Sequence, residues 1–343
     1  MKLLLIGGTR FVGRALATQA LERGHRLTLL HRGRSNAALF PEADHRIADR
    51  DGDLSVLGND TWDAVIDTCA YLPRQVRRSA GLLAGRVGNY QLVSTISVIA
   101  DFSRCGLTED APVCTLPDPD TEVIDGETYG GLKALCELAL REALPDRCDV
   151  VRPGLIVGPH DPTGRFTWWL ERMQRGGDVL CPDDPSAPVQ FIDARDLAAF
   201  MLDRVEAGLR GVVHATGPLE PLTMGQLLAA MRDLLHPGAR LHWVDEALLL
   251  DQGVAPWTEM PLWVPRASAG LHALNLSRAR ADGLQCRPLV ETLRDTLAWA
   301  LQAAAEAPAT SAPGASTSGP ARPGVGLDPA REHALLRAAG RVA

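Results

Sequence analysis

The chain has 343 residues, enough for two ordinary domains, and with 46% hydrophobic and 22% charged residues it can bury a sizeable core. Its net charge of -7 excludes a nucleic-acid binder that relies on a general basic surface, so nucleic acid is not expected as a partner. Seven scattered cysteines without a C-x-x-C pair argue against a zinc knuckle or a disulfide framework, and no metal site is expected.

In chain order, Lys2 is followed by only four apolar residues before Gly7, too short for a signal-peptide core, and no run is long enough to span a membrane. A cytoplasmic protein without a membrane partner is expected. Strands are predicted at residues 2–6, 26–30, 45–48, 64–67, 90–94 and 149–152, with helical patterns at 12–23 and 73–84. This alternation predicts an α/β fold, a Rossmann-type doubly wound parallel sheet that binds ligands at the carboxyl ends of its strands. Beyond Pro153 the pattern loosens. Residues 189–205 read as a strand entering a helix, 211–217 as a further strand, and 222–235 as a helix capped by Thr223. Residues 244–266 are irregular and rich in proline, and a last helix covers 289–301.

These patterns divide the chain. Residues 1–155, with 189–217 returning to them, form the sheet domain. Residues 156–188 and 218–302 form a smaller C-terminal domain for the substrate. Residues 303–324, almost all Ala, Pro, Ser and Gly, predict a disordered linker, and 325–343 a short helix that is tethered rather than integral.

Residues 3–16 read LLLIGGTRFVGRAL. Glycines where a strand meets a helix let backbone N–H groups approach a pyrophosphate, whose charge the helix dipole favours. Gly7 would make the tight turn, Gly8 keep the loop slim, and Gly13 let the helix pack on the strand. NAD enzymes place a carboxylate about 20 residues further on, yet no acidic residue lies between Arg23 and Pro41. Arg32 and Arg34 follow the second strand instead, and Arg10 sits in the turn. Guanidinium groups suit a 2′-phosphate, so the expected cofactor is NADP, with NAD as the alternative. Asp49, after the third strand, is a candidate for the adenine amino group or a plain loop aspartate.

The stretch TYGGLKALCELAL places Tyr129 and Lys133 four residues apart on one helical face. A phenol has a reference pKa near 10, and bringing it to about pH 7 takes roughly 4 kcal/mol. A neighbouring ammonium and a positively charged nicotinamide could supply this. Lys133 can also reach ribose hydroxyls, and Glu137 could orient the lysine. Upstream, YQLVSTISVIAD is a buried strand ending in Ser94 and Thr95, hydroxyls placed to bond a substrate oxygen and share proton transfer.

Together IGGTRFVG, VSTISV, YGGLK and RPGLIVGP resemble, in order and spacing over about residues 1–300, the extended short-chain dehydrogenases/reductases, which include the NAD-dependent sugar-nucleotide epimerases and dehydratases. The GGTRFVG turn is most similar to an atypical branch that includes the chloroplast stem-loop-binding proteins. The resemblance implies Tyr129 as acid/base with Lys133 as its helper, and Thr95 as the hydroxyl partner with Ser97 second to it. It implies a cofactor turn of Gly7, Gly8, Thr9, Arg10, Phe11, Val12 and Gly13, with Pro153 beside the nicotinamide. It also implies hydride transfer from a substrate carbon to nicotinamide, returned in the same site by epimerases and dehydratases. Three positions depart from the family pattern: Arg10 replaces a glycine, Ile99 a frequent tyrosine, and Leu155 the asparagine that holds sugar nucleotides. Leucine donates no hydrogen bond, so the expected substrate is a small hydroxyl or carbonyl compound, sugar-derived or not.

Softer candidates follow. His160, Asp161 and Arg165 lie just past a strand end near the expected substrate, where Arg165 could bind an anion. Trp168, Trp169, Trp257 and Trp263 could wall the pocket or fill the core. Asp193 and Asp196 suit a helix start. Helices flanking the catalytic pair could form a homodimer bundle. The expected activity is that of an NAD(P)-dependent epimerase, dehydratase or reductase. The alternative is an inactive cofactor-sensing or RNA-associated protein of the same fold.

Overall fold

The computed structural model describes residues 1–306 and 325–342. Its strands are β1 (Lys2–Ile6), β2 (Arg26–His31), β3 (Asp44–Ile47), β4 (Trp62–Asp67), β5 (Val87–Val93), β6 (Cys148–Pro153), β7 (Leu155–Val157), β8 (Asp178–Pro182), β9 (Phe191–Asp193), β10 (Gly211–Ala215) and β11 (Arg240–Val244). Its helices are α1 (Phe11–Glu22), α2 (Pro73–Leu83), α3 (Tyr129–Ala143), α4 (Arg165–Arg175), α5 (Ala194–Glu206), α6 (Met224–Leu235), α7 (Glu246–Asp251), α8 (Ser277–Ala281), α9 (Leu289–Glu306) and α10 (Pro329–Ala338).

A seven-stranded sheet runs in the order β10-β6-β5-β4-β1-β2-β3, every pairing parallel. Parallel strands need crossovers, which cover both faces with helices, so a central strand is apolar along its length. In β1, Leu3 and Leu5 pack with α1 and α5, while Leu4 and Ile6 pack with α2 and α3. Strand order reverses between β1 and β4, which opens a crevice at their carboxyl ends. This is the Rossmann-type doubly wound architecture.

A second core lies beyond the sheet. There β7 pairs with β9 and β8 with β11, and α4, α6 and α9 enclose Phe166, Trp169 and Met231, all fully buried. Trp168 and Trp263 join this core, and Trp257 packs at its edge. The start of α6 carries the expected cap: Thr223 Oγ1 accepts from Gln226 N at 3.2 Å, and Gln226 Oε1 accepts from Thr223 N at 2.9 Å. Asp193 caps α5, accepting from Arg195 N at 2.9 Å, while Asp196 accepts from Arg287 Nε at 2.8 Å.

Two expectations about the C-terminal region change. Residues 303–306 continue α9 rather than begin a linker, and the rest of that predicted linker lies outside the described residues. The last helix is not merely tethered. Leu335 and Leu336 of α10 are buried in the second core. Glu332, also buried, accepts from Arg172 Nε at 2.6 Å and from Leu180 N at 3.0 Å. Among the described residues, no helix is long and apolar enough to cross a membrane.

Removing one partner of a buried ion pair leaves the other charge uncompensated. Glu332→Ala is therefore expected to lower unfolding stability by about 3 kcal/mol in urea titrations. An unchanged midpoint and slope would show that α10 is dispensable to the core.

Candidate active site

The crevice begins where β1 ends, with Ile6 paired to Leu30 of β2 and Asp67 of β4. Gly7 and Gly8 follow at φ +110° and +102°, values that L side chains rarely adopt. A Cβ on Gly7 would lie 2.2 Å from Thr68 Oγ1, and one on Gly13 2.6 Å from the Gly8 nitrogen. The turn is thus closed by backbone packing that only glycine permits. Thr9 and Val12 are buried and Phe11 packs partly against the α1 core, leaving their main chain to line the turn. No side chain caps the start of α1 and no acidic residue occupies its first turn, so its leading N–H groups remain for an outside acceptor.

Arg10, Arg32 and Arg34 are exposed around this turn, and Arg14 lies one helical turn beyond Arg10. No hydrogen bond or ion pair engages these four guanidinium groups among the described residues. Asn36 ties the loop after β2 to the turn, donating through Nδ2 to Thr9 O at 3.0 Å. The same loop is pinned by two histidines that sequence reasoning passed over. His31 Nδ1 accepts from Gly33 N at 3.1 Å, so its Nε2 donates to His45 Nδ1 at 2.8 Å, and His45 Nε2 donates to Phe40 O at 2.9 Å. Burial, with His45 alongside, lowers the His31 pKa. Asp49 accepts from Asp51 N at 3.1 Å and closes a local turn. Its neighbour Arg50, buried, grips Asp67 through Nη1 at 2.7 Å and Nη2 at 2.8 Å.

The opposite wall is α3, which begins at Tyr129. The Tyr129 phenol stands beside the Thr95 hydroxyl, close enough for that hydroxyl to favour its ionised form. Thr95 Oγ1 also accepts from Ser97 N at 3.1 Å and lies 3.2 Å from Ser97 Oγ, so the three hydroxyls form one cluster. Burial, with the Tyr71 phenol nearby, pushes the Tyr129 pKa up to about 12. Lys133 is buried and donates from Nζ to Ala70 O at 2.7 Å and Val93 O at 2.8 Å. Burial lowers its pKa.

The expected orientation of Lys133 by Glu137 is not what the structure holds. Glu137 instead accepts from Arg152 Nε at 2.9 Å and Nη2 at 2.7 Å, and from the Ser94 hydroxyl. A guanidinium presents two donors that match both carboxylate oxygens, which a single ammonium cannot. Ser94 is therefore a support for Glu137, whereas Thr95 is the hydroxyl beside the phenol.

Pro153 ends β6, buried, and a Cβ on the next residue, Gly154, would lie 2.3 Å from Thr216 Oγ1. Leu155 is buried in the second core. Arg165 donates from Nε to Trp257 O at 3.3 Å, and its guanidinium lies 5.4 Å from that ring's centre. His160 lies instead beside the cofactor-type turn. It lines a cavity of about 290 Å³ with Arg10, Arg14, Asn36, Asp161 and Trp299. A larger cavity, about 430 Å³, is lined by Phe191, Pro221, Leu289 and the paired Asp196 and Arg287, and does not include Tyr129.

Sequence reasoning also missed Tyr71. It follows β4, its ring centre is 5.8 Å from Lys133 Nζ, and its electrostatic neighbours include Arg10 and Tyr129. Its only sequence signal was its place just past a strand end.

All three tyrosines have pKa values raised by burial. An ultraviolet absorbance titration of the ligand-free chain is expected to show no tyrosinate below about pH 10. A phenol ionising near neutrality would contradict this geometry.

No family model matches the chain. Its sequence is 26% identical over 218 residues to the chloroplast stem-loop binding protein of 41 kDa b of Arabidopsis thaliana, a match covering 59% of this chain and 54% of that protein. The match thus spans about half the length of that curated relative. Among solved structures it is similar to a UDP-glucuronic acid 4-epimerase from Bacillus cereus in complex with NAD, with TM-score 0.63 and 14% identity over 87% of this chain and 98% of that one. It is also similar to the UDP-Glc/GlcNAc 4-epimerase of Campylobacter jejuni, with TM-score 0.65 and 14% identity over 87% and 98%. By fold, then, the structural neighbours of this chain are enzymes of the NAD-dependent epimerase/dehydratase type, and the stem-loop binding protein is a distant relative in sequence.

Proposed function

We propose that the chain is an NAD(P)-dependent oxidoreductase of the epimerase/dehydratase type, acting at a hydroxyl or carbonyl carbon of a small substrate. The reading rests on one arrangement: a phenol beside the Thr95 hydroxyl, one turn from a buried ammonium, at the carboxyl ends of β4 and β5. The glycine turn fits a dinucleotide, since its close approaches exclude any Cβ and the start of α1 lacks an internal cap. Gly7, Gly8 and Gly13 would cradle the pyrophosphate, and Arg10, Arg32 and Arg34 would favour a 2′-phosphate, hence NADP over NAD. Asp49 remains a proposed contact for adenine and Pro153 for the nicotinamide.

When bound, an oxidised nicotinamide accepts hydride and adds a positive charge to the crevice. As phenolate, Tyr129 takes the substrate hydroxyl proton, and as phenol it returns that proton to a carbonyl oxygen. Moving a pKa from about 12 to about 7 requires roughly 7 kcal/mol of differential stabilisation. Thr95 holds the substrate oxygen and Ser97 supports Thr95. Lys133 acts as a positioning residue, because its ammonium is committed to two carbonyls. Leu155 offers no hydrogen bond, which favours a substrate other than a sugar nucleotide.

The kinship with a stem-loop binding protein, together with the unpaired arginines at the turn, supports a second reading in which the chain associates with RNA. Phosphate contacts would make RNA retention fall steeply with salt. Retention that is absent at low salt removes this reading.

Tyr129→Phe is expected to lower kcat/KM by about 100-fold or more while leaving cofactor affinity intact. Turnover is followed by cofactor absorbance and product analysis on a panel of carbonyl and sugar-nucleotide substrates. Undiminished turnover would remove Tyr129 from the mechanism.

A further inference from the structure

We infer that the cavity between the glycine turn and the second core is a binding site for a phosphate monoester, completed by His160. This rests on the proposed dinucleotide at the turn and extends it to residues outside the sheet domain. The observations are independent of the glycine pattern. Arg10, at the N-cap of α1, and Arg14, in its first turn, line the same cavity. Neither guanidinium has a hydrogen-bond or ion-pair partner among the described residues. That contrasts with Arg50, Arg152, Arg172 and Arg204, each of which pairs with a carboxylate.

Across the cavity, His160 is held at φ +69° in the loop after β7, its ring edge-on to Trp299 of α9 at 5.4 Å between centres. Its ring nitrogens bond no described residue. Burial and the Arg14 charge lower its pKa, so at neutral pH it is a neutral donor beside two cations. Asn36 adds an amide at the rim. The acidic group lining the cavity, Asp161, accepts from Thr163 N at 2.7 Å and Thr163 Oγ1 at 2.9 Å.

Two guanidinium groups, an imidazole and an amide around about 290 Å³ recognise a small, doubly charged, oxygen-rich anion. The dinucleotide's 2′-phosphate is one source, and a phosphate carried by the substrate is the other. In either case the ligand touches the start of α1, the loop after β7 and Trp299 of α9, so its binding links these elements. The sequence reading placed His160 with the substrate; the cavity groups it with the arginines of the turn.

The test measures, by calorimetry, the binding of NADP, NAD and inorganic phosphate to the full chain, to Arg14→Gln and to His160→Gln. Hydrogen bonds to charged groups predict a loss of about tenfold or more in NADP affinity for each variant, with NAD affinity unchanged as the sign of an intact fold. If the wild type does not prefer NADP but binds phosphate, and both variants lose it, the anion site stands with the substrate as its source and the NADP reading fails. If the wild type prefers NADP and neither variant alters that preference, the cofactor reading survives and the inference about this cavity is overturned. It is equally overturned if neither variant changes the binding of any of the three ligands.

Discussion

The site depends on one buried ammonium. Lys133 joins the first turns of α3 to the carbonyls of Ala70, in the loop after β4, and Val93, at the end of β5, which flank the crevice. Without it, two carbonyls would lose their donor in a dry environment, at a cost larger than the bond's own net contribution. Its neighbours on the same helical stripe act alike. Tyr129, one turn earlier, stands beside Thr95 after β5, and Glu137, one turn later, binds Arg152 on β6. Side chains at a spacing of four therefore set α3 against three successive strand ends, with Lys133 and Glu137 supplying the bonds. Beneath them Asp67 binds Arg50 and accepts from the Tyr90 hydroxyl at 2.8 Å, which stiffens the far wall.

Burial sets the electrostatics of this arrangement. It raises the pKa of the Tyr129 phenol and lowers that of the Lys133 ammonium, so both ionisations are disfavoured before any ligand adds charge. The glycine turn is the opposite: Arg10 and Arg14 at the turn, and Arg32 and Arg34 after β2, have no carboxylate partner among the described residues, although the whole chain carries -7. A crevice with a neutral phenol at one end and clustered guanidinium groups at the other is suited to a long anionic ligand laid across it.

Much of this was legible in the sequence because it was local. The glycine turn, the strand–helix alternation and the spacing of Tyr129 and Lys133 each follow from a few adjacent residues. What was not legible was the choice of partner. Glu137 sits four residues from Lys133 yet binds Arg152, because the bidentate geometry available on β6 outweighs proximity along the helix. The tail read as a tethered helix because its own apolar face is narrow. It docks through Glu332 onto Arg172, 160 residues away, and onto the backbone of β8. Tyr71 and the His31–His45 pair went unnoticed for the same reason, since only folding brings each to its neighbours.

The central claim is that Tyr129 carries the proton and that a bound oxidised dinucleotide controls its ionisation. The direct measurement is ultraviolet difference absorbance on adding oxidised NADP or NAD to the chain at mildly alkaline pH. The account predicts a tyrosinate signal that grows with saturation and is missing in Tyr129→Phe. Saturation without any such signal, or the same signal in the phenylalanine variant, would contradict it.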